Sequence, residues 1–109
     1  MPKYFKLVVF VPLSHLAKVR SAICAAGAGK IGRKYDNCTF YTEGIGTFRA
    51  LAGAKPFIGK LGKLNKVREA RLETIVSDKK VKMVIAALLA AHPYEEPAFD
   101  LYLLLSEAR

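Results

Sequence analysis

At 109 residues and 12.0 kDa the chain amounts to one domain, long enough to bury a hydrophobic core without disulfides or a structural metal. Hydrophobic residues make up 52% and charged residues 25%, which excludes a disordered or fibrous chain, and no apolar run reaches the ~18–20 residues of a membrane span. The net charge of +9 is uneven: Met1 to Tyr35 carries seven Lys or Arg and no acid. Such an asymmetry attracts anionic partners, nucleic acid among them. These cations are scattered over three elements rather than clustered, which favours a solvated face and makes nucleic acid an unlikely partner.

The N-terminus enters an alternating segment with no signal-peptide pattern. Cys24 and Cys38 show no pairing pattern, and buried free thiols in a reducing compartment are expected. The expected localisation is cytoplasmic.

In chain order, Lys3 to Val11 reads as a strand, with Phe5, Leu7, Val9 and Val11 on one face and Lys6, Val8 and Phe10 on the other. Pro12 ends it. Ser14 is positioned to cap a helix to about Ala26 that turns Leu16, Val19, Ile23 and Ala26 inward, and Gly27 and Gly29 stop that helix. Asn37 to Thr42 reads as a second strand. The stretch from Glu43 to Asn65 holds five glycines and short apolar pieces, the pattern of a β-rich excursion or an ordered loop.

Lys66 to Ser77 is the third main strand, with Ala70, Leu72, Thr74 and Val76 on one face and Glu69, Arg71, Glu73 and Ile75 on the other. Asp78 is positioned to cap a second helix to about Ala91, with Val81, Val84, Ile85, Leu88 and Leu89 inward. Pro93 closes it, and Ala98 to Leu105 alternates as the last strand.

The order β-α-β-(excursion)-β-α-β predicts an α+β fold, a ferredoxin-like βαββαβ two-layer sandwich with both helices on one sheet face. The uncovered face carries Val8, Phe10, Ile75, Tyr102 and Leu104, too apolar to leave in water, so a homo-oligomer is expected.

Three motifs carry candidate chemistry. Gly27-x-Gly29-x-x-Gly32 spells the dinucleotide fingerprint, but it follows a helix and precedes a strand, the reverse of what a phosphate at a helix N-terminus requires. Loose anion capture by Lys30, Arg33 and Lys34 is the remaining reading there. His92-Pro93-Tyr94-Glu95-Glu96-Pro97 is the densest polar cluster. Its histidine either caps terminal helix carbonyls or, facing inward one turn beyond Leu88, helps hold a ligand or a divalent metal ion. His15 has no evident partner. Glu69, Arg71 and Glu73 share a strand face, where cross-strand ion pairing or subunit register are the two readings. No nucleophile–base pair or carboxylate dyad assembles, so the chain is not read as an enzyme.

Five segments in order, Tyr35-Asp36-Asn37-Cys38-Thr39-Phe40, Gly44-Ile45-Gly46-Thr47-Phe48-Arg49, Gly53 to Gly59, Glu69 to Glu73 and Ala91 to Asp100, resemble the PII/CutA-like domain inserted in many bacterial members of the Nif-three-like (YqfO-type) family, or its stand-alone form. The resemblance covers nearly the whole chain, its first helix least. Lys55 departs from it, standing where a smaller polar residue is expected. The resemblance implies one PII/CutA-like domain over 1–109 and assembly through the sheet, a homotrimer before a homodimer. It also implies a regulatory or binding role toward a small ligand or protein partner, and a reading loop within Gly44–Gly62. The dinuclear metal site of that family lies in the surrounding domain, so its ligands do not carry over. The candidate ligand-binding residues are His92, Tyr94, Glu95 and Glu73, with Arg49, Lys55 and Phe57 in the loop. His92 is the one candidate for a metal.

Overall fold

The computed structural model describes residues 3–105. Strand β1 (Tyr4–Pro12) leads through a short 3-10 turn (Leu13–His15) into helix α1 (Leu16–Ala25). Strands β2 (Thr39–Arg49) and β3 (Leu64–Ser77) form a long hairpin, followed by helix α2 (Val81–Ala91) and strand β4 (Phe99–Leu103). The sheet order is β2-β3-β1-β4, antiparallel throughout. This is the predicted ferredoxin-like sandwich. Among the described residues no helix is long and apolar enough to cross a membrane.

The two sheet faces follow from the register. Leu7 lies opposite Thr74 and Leu101, and Val9 opposite Leu72 and Phe99, so these share the face under the helices. There Leu7, Val9, Val11, Ala70, Leu72 and Val76 pack against Val19 and Ile23 of α1 and Val84 and Leu88 of α2. The predicted strand faces and the inner stripe of the first helix hold. The α2 and β4 positions depart from this. Leu89, expected inward, is half exposed because the α2 stripe runs through Val84, Leu88 and Ala91, and Leu101, Leu103 and Leu105 are exposed because β4 is an edge strand at the margin of the helical layer.

The other face carries Val8, Phe10, Ile75, Glu69, Arg71, Glu73, Phe40 and Tyr102. Val8 and Ile75 are already buried within the single chain, whereas Phe40 and Tyr102 are 64% and 50% exposed. The expected apolar character of this face is thus confined to its margins. Leu104 lies just beyond β4 and bonds through its backbone N–H to the Tyr4 carbonyl.

Neither predicted helix cap forms. Ser14 sits in the 3-10 turn and pairs with the adjacent His15 ring, and no side chain caps α1. The Asp78 N–H donates to the Lys3 carbonyl, so Asp78 finishes the sheet and α2 starts only after Lys80. Both residues lie two or three positions before their helices, where other partners engage them, the His15 ring for Ser14 and the Lys3 carbonyl for Asp78.

The largest departure is β2. It runs to Arg49 rather than stopping at Thr42, because β3 begins at Leu64 and pairs with it along its whole length. Glycine weakens an isolated strand, but here Gly44 and Gly46 are held by the partner strand. The hairpin outruns β1 and lengthens the molecule to 47 × 22 × 22 Å, with a radius of gyration of 14.9 Å against about 13 Å for a compact chain of this length.

Candidate functional site

Where the hairpin passes the end of β1, loop 50–63 folds back toward the corner between α2 and β4. Asn65 fixes the base of this loop, its side-chain amide donating to the carbonyls of Lys60 (3.2 Å) and Lys63 (3.0 Å). The Gly62 N–H closes it on the Ala50 carbonyl (2.8 Å). The loop then reaches the corner twice. The Lys55 N–H donates to Glu95 Oε1 (3.0 Å), and Phe57 packs against Tyr94 (ring centroids 6.4 Å apart) and edge-on to His15 (5.4 Å). His15, unassigned by sequence reading, thus has a partner.

Loop, corner and sheet enclose a cleft of about 870 Å³. Phe10 and Glu69 form its floor on the face away from the helices, Phe48 and Phe57 its aromatic walls, and Tyr94 and Glu95 its rim. A pocket of these dimensions, mostly apolar with a few convergent polar groups, has the make-up of a small-molecule site.

A chain of hydrogen bonds runs from the core to the cleft. His92 is 6% exposed, and its Nε2–H donates to the Phe10 carbonyl (2.7 Å). Its Nδ1 accepts the Tyr94 N–H (3.1 Å). The Tyr94 hydroxyl then donates to Glu69 Oε2 (2.7 Å). Burial holds the His92 pKa below the ordinary 6.5, against the opposing pull of the Phe10 bond and the Glu69 charge. Burial, then the bond to Glu69, raises the Tyr94 phenol well above its usual range, so it stays a donor.

The inward direction predicted for His92 is correct, but it does not cap its own helix. It ties the corner to β1. With Nε2 donating and Nδ1 accepting, the neutral ring is fully used, and a metal ion there would have to displace one of these bonds. Among the described residues no three His, Cys, Asp or Glu side chains converge as a metal site would need.

Of the other predicted site residues, Tyr94, Glu95, Arg49 and Phe57 line the cleft. Lys55 contributes its backbone N–H, so its departure from the family pattern leaves that contact intact. Glu73 is elsewhere: it lies opposite Val8 and Phe40 and pairs along its own strand with Arg71 (3.5 Å), which also stacks over Phe10. Among the described residues the ion pair made by the Glu69–Arg71–Glu73 set runs along β3, not across to a neighbouring strand as expected. Glu69, four residues earlier on the same strand face, is the carboxylate that reaches the site. Sequence reading placed it on the right face, but its position beside the corner depends on Glu69 lying opposite Pro12 and Gly44.

Gly46 completes the floor: a Cβ there would run into the Glu69 carboxylate. The fingerprint glycines serve the backbone. Gly29, at φ +79°, donates to the Ile75 carbonyl and accepts from Cys38 N–H, so close that any Cβ would meet the Cys38 backbone. Lys30, Arg33 and Lys34 follow in the exposed segment after it. Cys24 is buried with its thiol pKa raised by burial, whereas Cys38 is only half-buried, and neither is in a disulfide.

No protein-family model matches the chain. Curated relatives do. It is 52% identical over 103 residues to a GTP cyclohydrolase 1 type 2 homolog of Halalkalibacterium halodurans, covering 94% of this chain and 27% of that protein. The same named protein of Bacillus subtilis is 52% identical over 97 residues, covering 89% and 26%. The chain thus spans about a quarter of the length of the curated relatives it matches. Among solved structures, a Bacillus cereus protein related to NIF3 superposes with a TM-score of 0.84 at 45% identity, covering 96% of this chain and 26% of that one. Archaeoglobus fulgidus CutA, a periplasmic divalent cation tolerance protein, gives 0.69 at 13% identity, covering 97% and 88%. Bacillus subtilis GlnK in its ATP complex gives 0.63 at 12%, covering 94% and 82%. By sequence this chain is similar to about a quarter of a NIF3-related protein, and by fold it is similar to CutA and GlnK.

Proposed function

We propose that this chain is a non-enzymatic, self-associating regulatory or binding module, the PII/CutA-like domain of Nif-three-like proteins, and that its ligand site is the cleft between the hairpin loop and the 92–98 corner. The observation that carries this reading is the convergence on one half-open cleft of two segments that carry the family resemblance. The glycine-rich block supplies the roof, and the His92–Pro97 block supplies the rim and its hydrogen bonds. The exposed Phe40 and Tyr102 at the margins of the open sheet face supply apolar area for self-association, with a homotrimer as the expected state.

GlnK is solved with ATP, but this cleft is a poor cradle for a triphosphate. Its lining holds Arg49 as its one cation against Glu69, Glu95 and Glu96.

Two measurements test the reading. Native mass spectrometry of protein purified without added metal or chelator should give three chains and no stoichiometric metal. A monomer overturns the assembly half, and a metal lost on His92→Ala overturns the cleft in favour of a metal centre. Chemical-shift mapping with benzyl alcohol, a neutral aromatic probe, should give saturable changes at Phe48, Phe57 and Tyr94. Their absence with every aromatic probe overturns the ligand site.

A further inference from the structure

We infer that the cleft selects a planar ring compound bearing a cationic or N–H-rich edge, an amidine or an amino-substituted heterocycle, with its donors directed at Glu69. The inference rests on the ligand-site reading above and adds the chemical class of the ligand. Its ring component follows from the lining: Phe10 on the floor and Phe48 and Phe57 on the walls present aromatic surface around a space open on one side, which suits a flat apolar body.

Its charge component follows from the hydrogen bonds. Glu69 Oε2 is taken by the Tyr94 hydroxyl, whose residue is fixed through His92 to the backbone of β1. Glu69 Oε1 has no donor among the described residues and lies against Gly46, on the cleft floor. A preorganised carboxylate with a free oxygen, beside aromatic faces, is an acceptor waiting for a donor. It rewards an N–H edge and penalises an anion. The rim adds to the bias. Among the described residues Glu95 accepts a backbone N–H, and Glu96 lines the cleft beside it, so the lining holds three carboxylates and one guanidinium, that of Arg49. Glycine at 46 belongs to the same arrangement, because any larger residue would occupy the position of the Glu69 carboxylate.

The test compares three probes of one ring size on the full chain, followed by NMR titration: benzamidine, benzyl alcohol and benzoate. Benzamidine should bind the cleft at least about tenfold more tightly than benzoate, the fold-change of one charge-assisted hydrogen bond. Glu69→Gln should remove most of that preference, bringing benzamidine and benzoate to within a few-fold of one another. Benzoate binding as tightly as benzamidine to the unmodified protein overturns the inference without recourse to any variant, and leaves the ligand site standing. A preference for benzamidine that survives Glu69→Gln overturns the role of Glu69. No cleft shift with any of the three overturns the ligand site itself, and the inference with it.

Discussion

His92 shows how a single residue fixes the site. Buried, neutral and bonded at both nitrogens, it holds Tyr94 in place and so aims Glu69. Its depressed pKa makes stability depend on pH. Between the folded value and the ordinary 6.5, the unfolded chain binds more protons than the folded one, so stability rises with pH across that window. The His92 contribution is complete above 6.5 and is lost as pH falls toward the folded value. Urea denaturation at pH 5 and pH 7.5 should show this loss. His92→Leu should remove it while costing about 1–3 kcal/mol at pH 7.5, because the Phe10 carbonyl and Tyr94 N–H lose their partner. Gly46 supplies a second test. Gly46→Ala should swing the Glu69 carboxylate off the Tyr94 hydroxyl and cost about 1 kcal/mol, the worth of that hydrogen bond, and should carry no such cost in a Glu69→Ala background. Equal costs in both backgrounds would show that the close approach is not what selects glycine.

At the scale of elements, the β2–β3 hairpin is the structural device that makes a site of scattered residues. Its register brings Glu69 level with the end of β1, and its extra length gives the loop room to fold back on the 92–98 corner. The other end of the hairpin is fastened differently. The Thr74 hydroxyl donates to the Cys38 carbonyl (2.8 Å), while Gly29 bonds to both Ile75 and Cys38. Thr74 is 3% exposed, so Thr74→Val should cost about 1–2 kcal/mol by leaving that carbonyl without its donor. Hydrogen exchange at the Gly29 and Cys38 amides should speed up, with the Tyr94 amide unaffected. A uniform acceleration across the sheet would mean that Thr74 stabilises the fold globally rather than this junction.

For the whole molecule, one sheet face is closed by helices and the other is divided in use. Toward the hairpin loop it floors the cleft, at its centre Val8 and Ile75 are already buried, and at its margins Phe40 and Tyr102 reach solvent. Self-association through this face predicts that Phe40→Glu combined with Tyr102→Glu lowers the native mass from three chains to one without unfolding the chain. Circular dichroism and native mass spectrometry together read both parts. An unchanged mass would move the contact to the free edges of β2 or β4, whose backbone groups are available for strand pairing.

Much of this architecture is written locally. Alternation in Lys3–Val11 and Lys66–Ser77, and the apolar stripes of the two helices, are nearest-neighbour patterns, so the element order, both strand faces and most of the core follow from them. The polar corner at His92–Pro97 is equally visible as a run of residues. What local pattern does not contain is register. Gly44 and Gly46 read as breaks in a strand, and only the pairing of β2 with β3 turns them into strand residues. The same pairing decides that Glu69 rather than Glu73 reaches the cleft, and the fold-back of loop 50–63 brings Phe57 to His15 and Tyr94. By itself the sequence determined the order of helices and strands and most of the buried face of each, because those depend on residues a few positions apart. The tertiary structure alone decided which carboxylate, which glycine and which aromatic rings share one space, because that depends on hydrogen bonds between residues 25 to 82 positions apart.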